Sequence, residues 1–169
     1  MKRLALAALM FAAVLPAQQF KFNLDGVGAK ASDSVDLSLS GPMLQFAAKF
    51  LDGKDPDEAK VKKLIGGLEG IYIKRFEFKK GGGYADVDLE GIRSQLKAPA
   101  WSKMVGYKSS TDGENAEIYM RMEASKIAGI AILCAAPKEL TVVNIVGPID
   151  LDSLAELGGH LGLPKLQKK

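Results

Sequence analysis

The stretch IAGIAILCAA, Ile127 to Ala136, carries no charged or amide side chain, and its one heteroatom is the thiol of Cys134. In an extended chain, Ile127, Ala131 and Leu133 would alternate with Ile130, Ile132 and Cys134, making both sides apolar. A strand of that kind belongs in the middle of a sheet, shielded from water on both faces. Each face then needs a cover. More of the same chain is the simplest cover, with a bound apolar ligand or a partner as the alternatives.

The segments around this stretch read as its neighbours. Ala124-Ser125-Lys126 is a short turn, preceded by a clean alternation from Ala116 to Glu123. Ala116, Ile118, Met120 and Met122 form one face, read as the inner one. Glu117, Tyr119, Arg121 and Glu123 form the other, read as wet. Thr111-Asp112-Gly113 links back to a strand from Trp101 to Lys108, and Pro137-Lys138-Glu139 leads on to a strand from Leu140 to Val146. Links this short join antiparallel neighbours, so the four strands form a meander.

Earlier residues alternate helical and extended patterns. Ser34 to Leu39 reads as a half-buried strand with Val35, Leu37 and Leu39 inward. Gly41-Pro42 opens a helix whose core face is expected to hold Met43, Phe46, Ala47, Phe50 and Leu51. Asp55, Pro56 and Glu58 form a strong helix start, followed by Val61, Leu64, Ile65 and Leu68 at i, i+3, i+4, i+7 spacing. Lys60, Lys62 and Lys63 fall away from that stripe and read as a solvated face. Ile71 to Phe78 is a strand. Asp86 is expected to cap a helix carrying Val87, Leu89, Ile92 and Leu96, which Pro99 ends. A last helix is expected from Asp150 through Leu151, Leu154 and Leu157 to Gly158-Gly159.

The chain opens Met1-Lys2-Arg3 and runs apolar from Leu4 to Leu15, the pattern of a secretory signal peptide, with cleavage expected after Ala17. The run is too short to span a bilayer, which takes about 20 residues. Without Lys2 and Arg3, 21 basic and 20 acidic residues nearly cancel. No concentrated basic character then speaks for nucleic acid. The expected organisation is a signal peptide over 1–17, a flexible lead-in over 18–33, one domain over 34–163 and a basic tail over 164–169.

Candidate chemistry is sparse. The chain has one histidine, His160, and one cysteine, Cys134, which cannot supply the four ligands of a structural zinc site. His160 lies among small residues and reads as a tail residue. Cys134 reads as a small buried hydrophobe. Gly81 to Gly83 follow a strand and precede a helix, but Tyr84 and Ala85 stand where a phosphate loop needs lysine and a hydroxyl. Asp150 and Asp152 read as helix-start carboxylates rather than a calcium pair. Asp112, Glu114 and Glu117 read as a solvated hairpin. The residues therefore nominate no catalytic, cofactor-binding or metal site.

Three longer stretches carry a resemblance: Ile92 to Gly106 (IRSQLKAPAWSKMVG), Asp112 to Arg121 (DGENAEIYMR) and Pro137 to Gly159 (PKELTVVNIVGPIDLDSLAELGG). Across Val35 to Leu163 the chain resembles an exported bacterial family catalogued as domain of unknown function 4252. The resemblance implies an envelope protein. Relatives are often lipoproteins, and this chain departs from them in lacking a cysteine after the apolar run. No site residues come with the resemblance.

The expected fold is α+β, an antiparallel meander with helices mainly on one face, preceded by a signal peptide. The expected role is a non-catalytic extracytoplasmic binding or interaction module of the bacterial envelope, periplasmic or extracellular. Its partner would be an envelope protein or an apolar ligand, with no nucleic acid and no membrane-spanning helix after cleavage. A lipid- or small-hydrophobe-binding protein is the second reading and an enzyme of unidentified class the third. Self-association as a homodimer is compatible with each.

Overall fold

In the computed structural model, which describes residues 21–149, the chain runs α1 (Asp25–Gly28), β1 (Asp33–Ser40), α2 (Gly41–Ala48), α3 (Pro56–Gly67), β2 (Gly70–Glu77), α4 (Asp86–Arg93), β3 (Trp101–Lys108), β4 (Asn115–Glu123), β5 (Lys126–Ala136) and β6 (Glu139–Ile149). The six strands form one sheet in the order β1-β2-β6-β5-β4-β3, every pair antiparallel. The expected α+β class holds, and β3 to β6 form the expected meander. The apolar stretch sits in β5, bonded to β4 and β6, where Ala131, Leu133 and Ile130 are at most 2% exposed.

Helices take both faces of the sheet rather than mainly one. On the first face, Leu89, Ile92 and Leu96 from α4 and the segment after it join Leu24 and Val27 around α1. They pack with Leu133, Leu140 and Val142. On the second, Leu44 of α2 and Leu68 after α3 pack with Ile130, Ile132 and Ile145. Burying each such side chain contributes roughly 1.5–3 kcal/mol. Residues 25–28, read as part of a lead-in, form α1, which puts Val27 in the core beside Leu24. The expected signal peptide, the last helix, the basic tail and His160 lie outside the described residues.

Two faces are the reverse of the expectation. In α2 the buried residues are Gly41, Leu44 and Ala48, while Met43, Phe46 and Phe50 are 52%, 62% and 75% exposed. Leu44 and Ala48 lie one turn apart, and that narrow stripe suits the close approach of α3. In β4 the buried residues are Glu117, Tyr119 and Arg121, while Ala116, Ile118 and Met120 are only partly covered. Strand β1 is an outer strand, and its Val35 and Leu37 stand largely in water rather than half inside.

Helix starts follow sequence rules more closely. The Asp55 carboxylate accepts hydrogen bonds from the Asp57 and Glu58 amides at 2.9 and 3.1 Å, as a capping residue should. Asp86 is the first residue inside α4 rather than its cap. Asp88 Oδ2 accepts from the Ala85 amide at 2.8 Å, so the carboxylate securing this start is two residues later.

Candidate functional site

Register places Glu117 of β4 opposite Leu133 of β5, Tyr119 opposite Ala131, and Arg121 opposite Gly129. All three lie on the first face, and Glu117 sits beneath the last turn of α4. There Arg93 donates from Nε and Nη2 to Glu117 Oε1 at 3.1 and 2.7 Å, and from Nη1 to Glu90 Oε1 at 3.0 Å. Glu117 Oε2 accepts from the Tyr119 hydroxyl and lies 3.0 Å from Lys103 Nζ. A carboxylate that is 4% exposed is tolerable only with its lone pairs filled this way.

These contacts set the protonation states. Burial favours the neutral acid, but hydrogen bonds from Tyr119, Arg93 and Lys103, with the Arg93 charge, overcome it and hold the Glu117 pKa at about 2. Burial and the neighbouring carboxylate push the Tyr119 phenol up to about 12. A base this weak beside an acid this weak suits no proton transfer near neutral pH. The cluster is a clamp between α4 and the sheet.

Further along the same face the polar groups are not matched. Asn144 of β6 pairs with Ala131 and is fully buried, and neither its Oδ1 nor its Nδ2 has a partner. Arg121 is 8% exposed and its Nε is buried without an acceptor. Its Nη2 lies 2.9 Å from Glu123 Oε1, an ion pair out of line for a hydrogen bond. A buried polar group left unpaired costs about 1–3 kcal/mol, so this region is expensive to maintain.

The second face has its own feature. Toward β4 and β3 its cover thins: Ile118, Met120 and Cys134 are partly buried, and Tyr107 and Met122 are 52% and 50% exposed. Register sets Val105 against Ile118 and Tyr107 against Ala116, so these four share the second face, while Met104 falls at the register shift between Lys103 and Val105.

A family model described as "Domain of unknown function (DUF4252)" matches residues 28–157. The chain belongs to the DUF4252 family. No curated protein matches it. The matched span takes in the whole sheet, so the Glu117 clamp, the Arg121 and Asn144 region and the thinly covered second face all lie within the DUF4252 domain. Among the described residues no helix is long and apolar enough to cross a membrane.

Residues singled out from sequence fare differently in this DUF4252 domain. Cys134 is partly buried, and burial, with the Glu139 charge, raises its thiol pKa, which disfavours thiolate chemistry. Gly83 lies so closely against the Phe78 ring that a Cβ would overlap it, and Gly82 takes a positive φ, so these two glycines serve the connection. Asp112 stays in its turn, its amide donating to Ser109 Oγ at 3.1 Å, but Glu117 leaves the proposed hairpin cluster for the interior. Asp150, Asp152 and His160 lie outside the described residues. Sequence reading set Glu117 and Arg121 on a wet face and did not single out Arg93 or Asn144. A visible signal existed for the last: Asn144 is a lone amide inside the apolar run Val142 to Val146.

Proposed function

We propose that this DUF4252 domain is a non-catalytic binding module that works outside the cytoplasm and takes a protein partner on the thinly covered half of its second face. One observation carries the reading: Tyr107 and Met122 are half exposed or more beside partly buried Ile118 and Met120. Single exposed apolar residues are ordinary, whereas a contiguous patch marks an interaction surface. Methionine side chains bend to fit varied apolar partners, which suits such a surface. The charged start and apolar run of residues 1–15 support export.

A photo-crosslinking residue at position 122 of the full chain, expressed in its own host, tests the reading. One discrete protein adduct is expected, lost when Tyr107→Glu is added. The same residue at position 79, in the loop after β2, should give none. No adduct at 122, or equal adducts at both positions, removes the proposal. A constant added mass of small-molecule size in native mass spectrometry replaces the protein partner with an apolar ligand.

A further inference from the structure

We propose that the outer edge of β1 pairs with β1 of a second copy of this chain, joining two sheets across a two-fold axis. The contact is a strand edge at the opposite side of the sheet from the β3–β4 patch, so it does not depend on the partner proposed above. The two edges of the sheet are built differently. At the β3 edge the register shifts between Lys103 and Val105, and the strand carries Lys103 and Lys108. Bulges and lysines are devices by which an edge strand refuses a neighbour. In β1 the pairing with β2 runs unbroken from Asp33 to Ser40, and the strand holds no lysine, proline or glycine. Asp33 to Ser38 are all exposed, Val35 by 54% and Leu37 by 38%.

Both ends of β1 turn inward. Before it, the Ser32 amide donates to Glu77 O on β2 and Gly28 lies against the Phe76 ring. After it, Gly41 lies against the carbonyls of Leu68 and Glu69. Among the described residues the flanking chain therefore crosses toward β2 and leaves the outer backbone edge clear. Residues beyond Ile149 read as a helix, which spends its backbone groups within itself. The strand is also complementary to itself. An antiparallel pairing centred on Leu37 sets Leu37 against its own counterpart, Val35 against that of Leu39, and Asp36 against that of Ser38. The two-residue period keeps Val35, Leu37 and Leu39 on one face in both copies. Leu39 already packs on the second-face cluster and Leu37 pairs with Ile73, so the contact extends that apolar face over Val35 and Leu37. Asp36 meets a serine, and its carboxylate already lies 2.7 Å from Lys74 Nζ. Centring on Asp36 instead would oppose like charges, which selects the Leu37 register. A two-fold contact of one strand with itself closes as a dimer.

Light scattering on the full chain, expressed in its own host and purified across a range of concentrations, tests this. Twice the mass of one chain is expected. Leu37→Lys, at a position already open to water, should return the mass to that of one chain while circular dichroism stays that of the folded parent. Tyr107→Glu, on the second-face patch, should leave the dimer intact. In a Cys134→Ala background, Leu37→Cys should cross-link two chains on oxidation. Val35→Cys should not, because each Val35 then lies four residues from the other along the paired strands. A single-chain mass at every concentration overturns the proposal. So does a dimer that survives Leu37→Lys but is lost with Tyr107→Glu, or cross-linking at position 35 as ready as at position 37.

Discussion

Arg93, on the last turn of α4, places Nε and Nη2 on one oxygen of Glu117, in the second row of β4. The pair ties a helix to the sheet through a carboxylate almost removed from water. Losing Glu117 leaves the largely buried Arg93 with only the exposed carboxylates of Glu90 and Asp86 as partners. Glu117→Gln should therefore destabilise the domain by about 3 kcal/mol, read from urea denaturation at neutral pH. A loss below about 1 kcal/mol would show that Arg93 simply turns out to solvent.

The same pair has a pH signature. The Glu117 pKa falls from its ordinary 4.5 to about 2, so between those values the unfolded chain holds more protons than the native one. The stability due to this carboxylate is complete above pH 4.5 and drains as pH falls toward 2. For Tyr119, raised from 10.0 to about 12, the unfolded chain ionises first, and stability falls as pH rises through that window. Chemical denaturation across pH should show both limbs, with Glu117→Gln flattening the acid one.

Gly147 has φ +121°, and a Cβ there would stand 2.7 Å from the Glu69 nitrogen and 3.0 Å from Leu68 Cα. Neither neighbour can withdraw, since the Glu69 amide donates to Val146 O at 2.8 Å and Leu68 is core. Gly147→Ala should cost about 3 kcal/mol or more, through backbone strain and the clash together. A melting temperature within a degree or two of the parent would show that β6 re-routes there.

The β4–β5 hairpin turns on Ala124 and Ser125, both at positive φ, 46° and 67°. Two-residue turns of this hand favour Asn-Gly, because left-handed backbone costs those residues least. The double substitution Ala124→Asn with Ser125→Gly should raise stability by about 1 kcal/mol without altering spectra of the folded state. No gain in denaturation midpoint would count against this turn conformation in solution.

Leu133 and Phe50 make a contrast that tests the reversed faces. Leu133 is 1% exposed at the centre of β5, and Leu133→Ala should cost about 2–5 kcal/mol. Phe50 is 75% exposed, and Phe50→Ser should change stability by less than about 0.5 kcal/mol. Equal losses in thermal melts would restore the Phe46 and Phe50 face of α2 to the core.

Much of the fold was legible in local pattern. Ile127 to Ala136 announces a central strand because no orientation of an extended chain could give it a wet side. The Asp55 cap, the Leu64 and Leu68 stripe and the short links between β3 and β6 are equally local. The candidate sites were far less legible. An alternating strand has two faces, but alternation does not say which one turns inward, and Glu117, Tyr119 and Arg121 look like the wet face by composition.

Sequence alone therefore determined the strands and helices α2 to α4, the antiparallel meander and the central place of β5, since periodicity and turn chemistry act between near neighbours. Tertiary structure alone decided that Glu117 is interior, that Asn144 and Arg121 are buried, and that Phe46 faces water. Each outcome depends on a group far along the chain. Arg93 arrives from another element to neutralise Glu117, and the stripe from Leu44 to Leu68 outcompetes the aromatic one for the sheet. Electrostatic pairing and close packing act between such groups only once folding has brought them together.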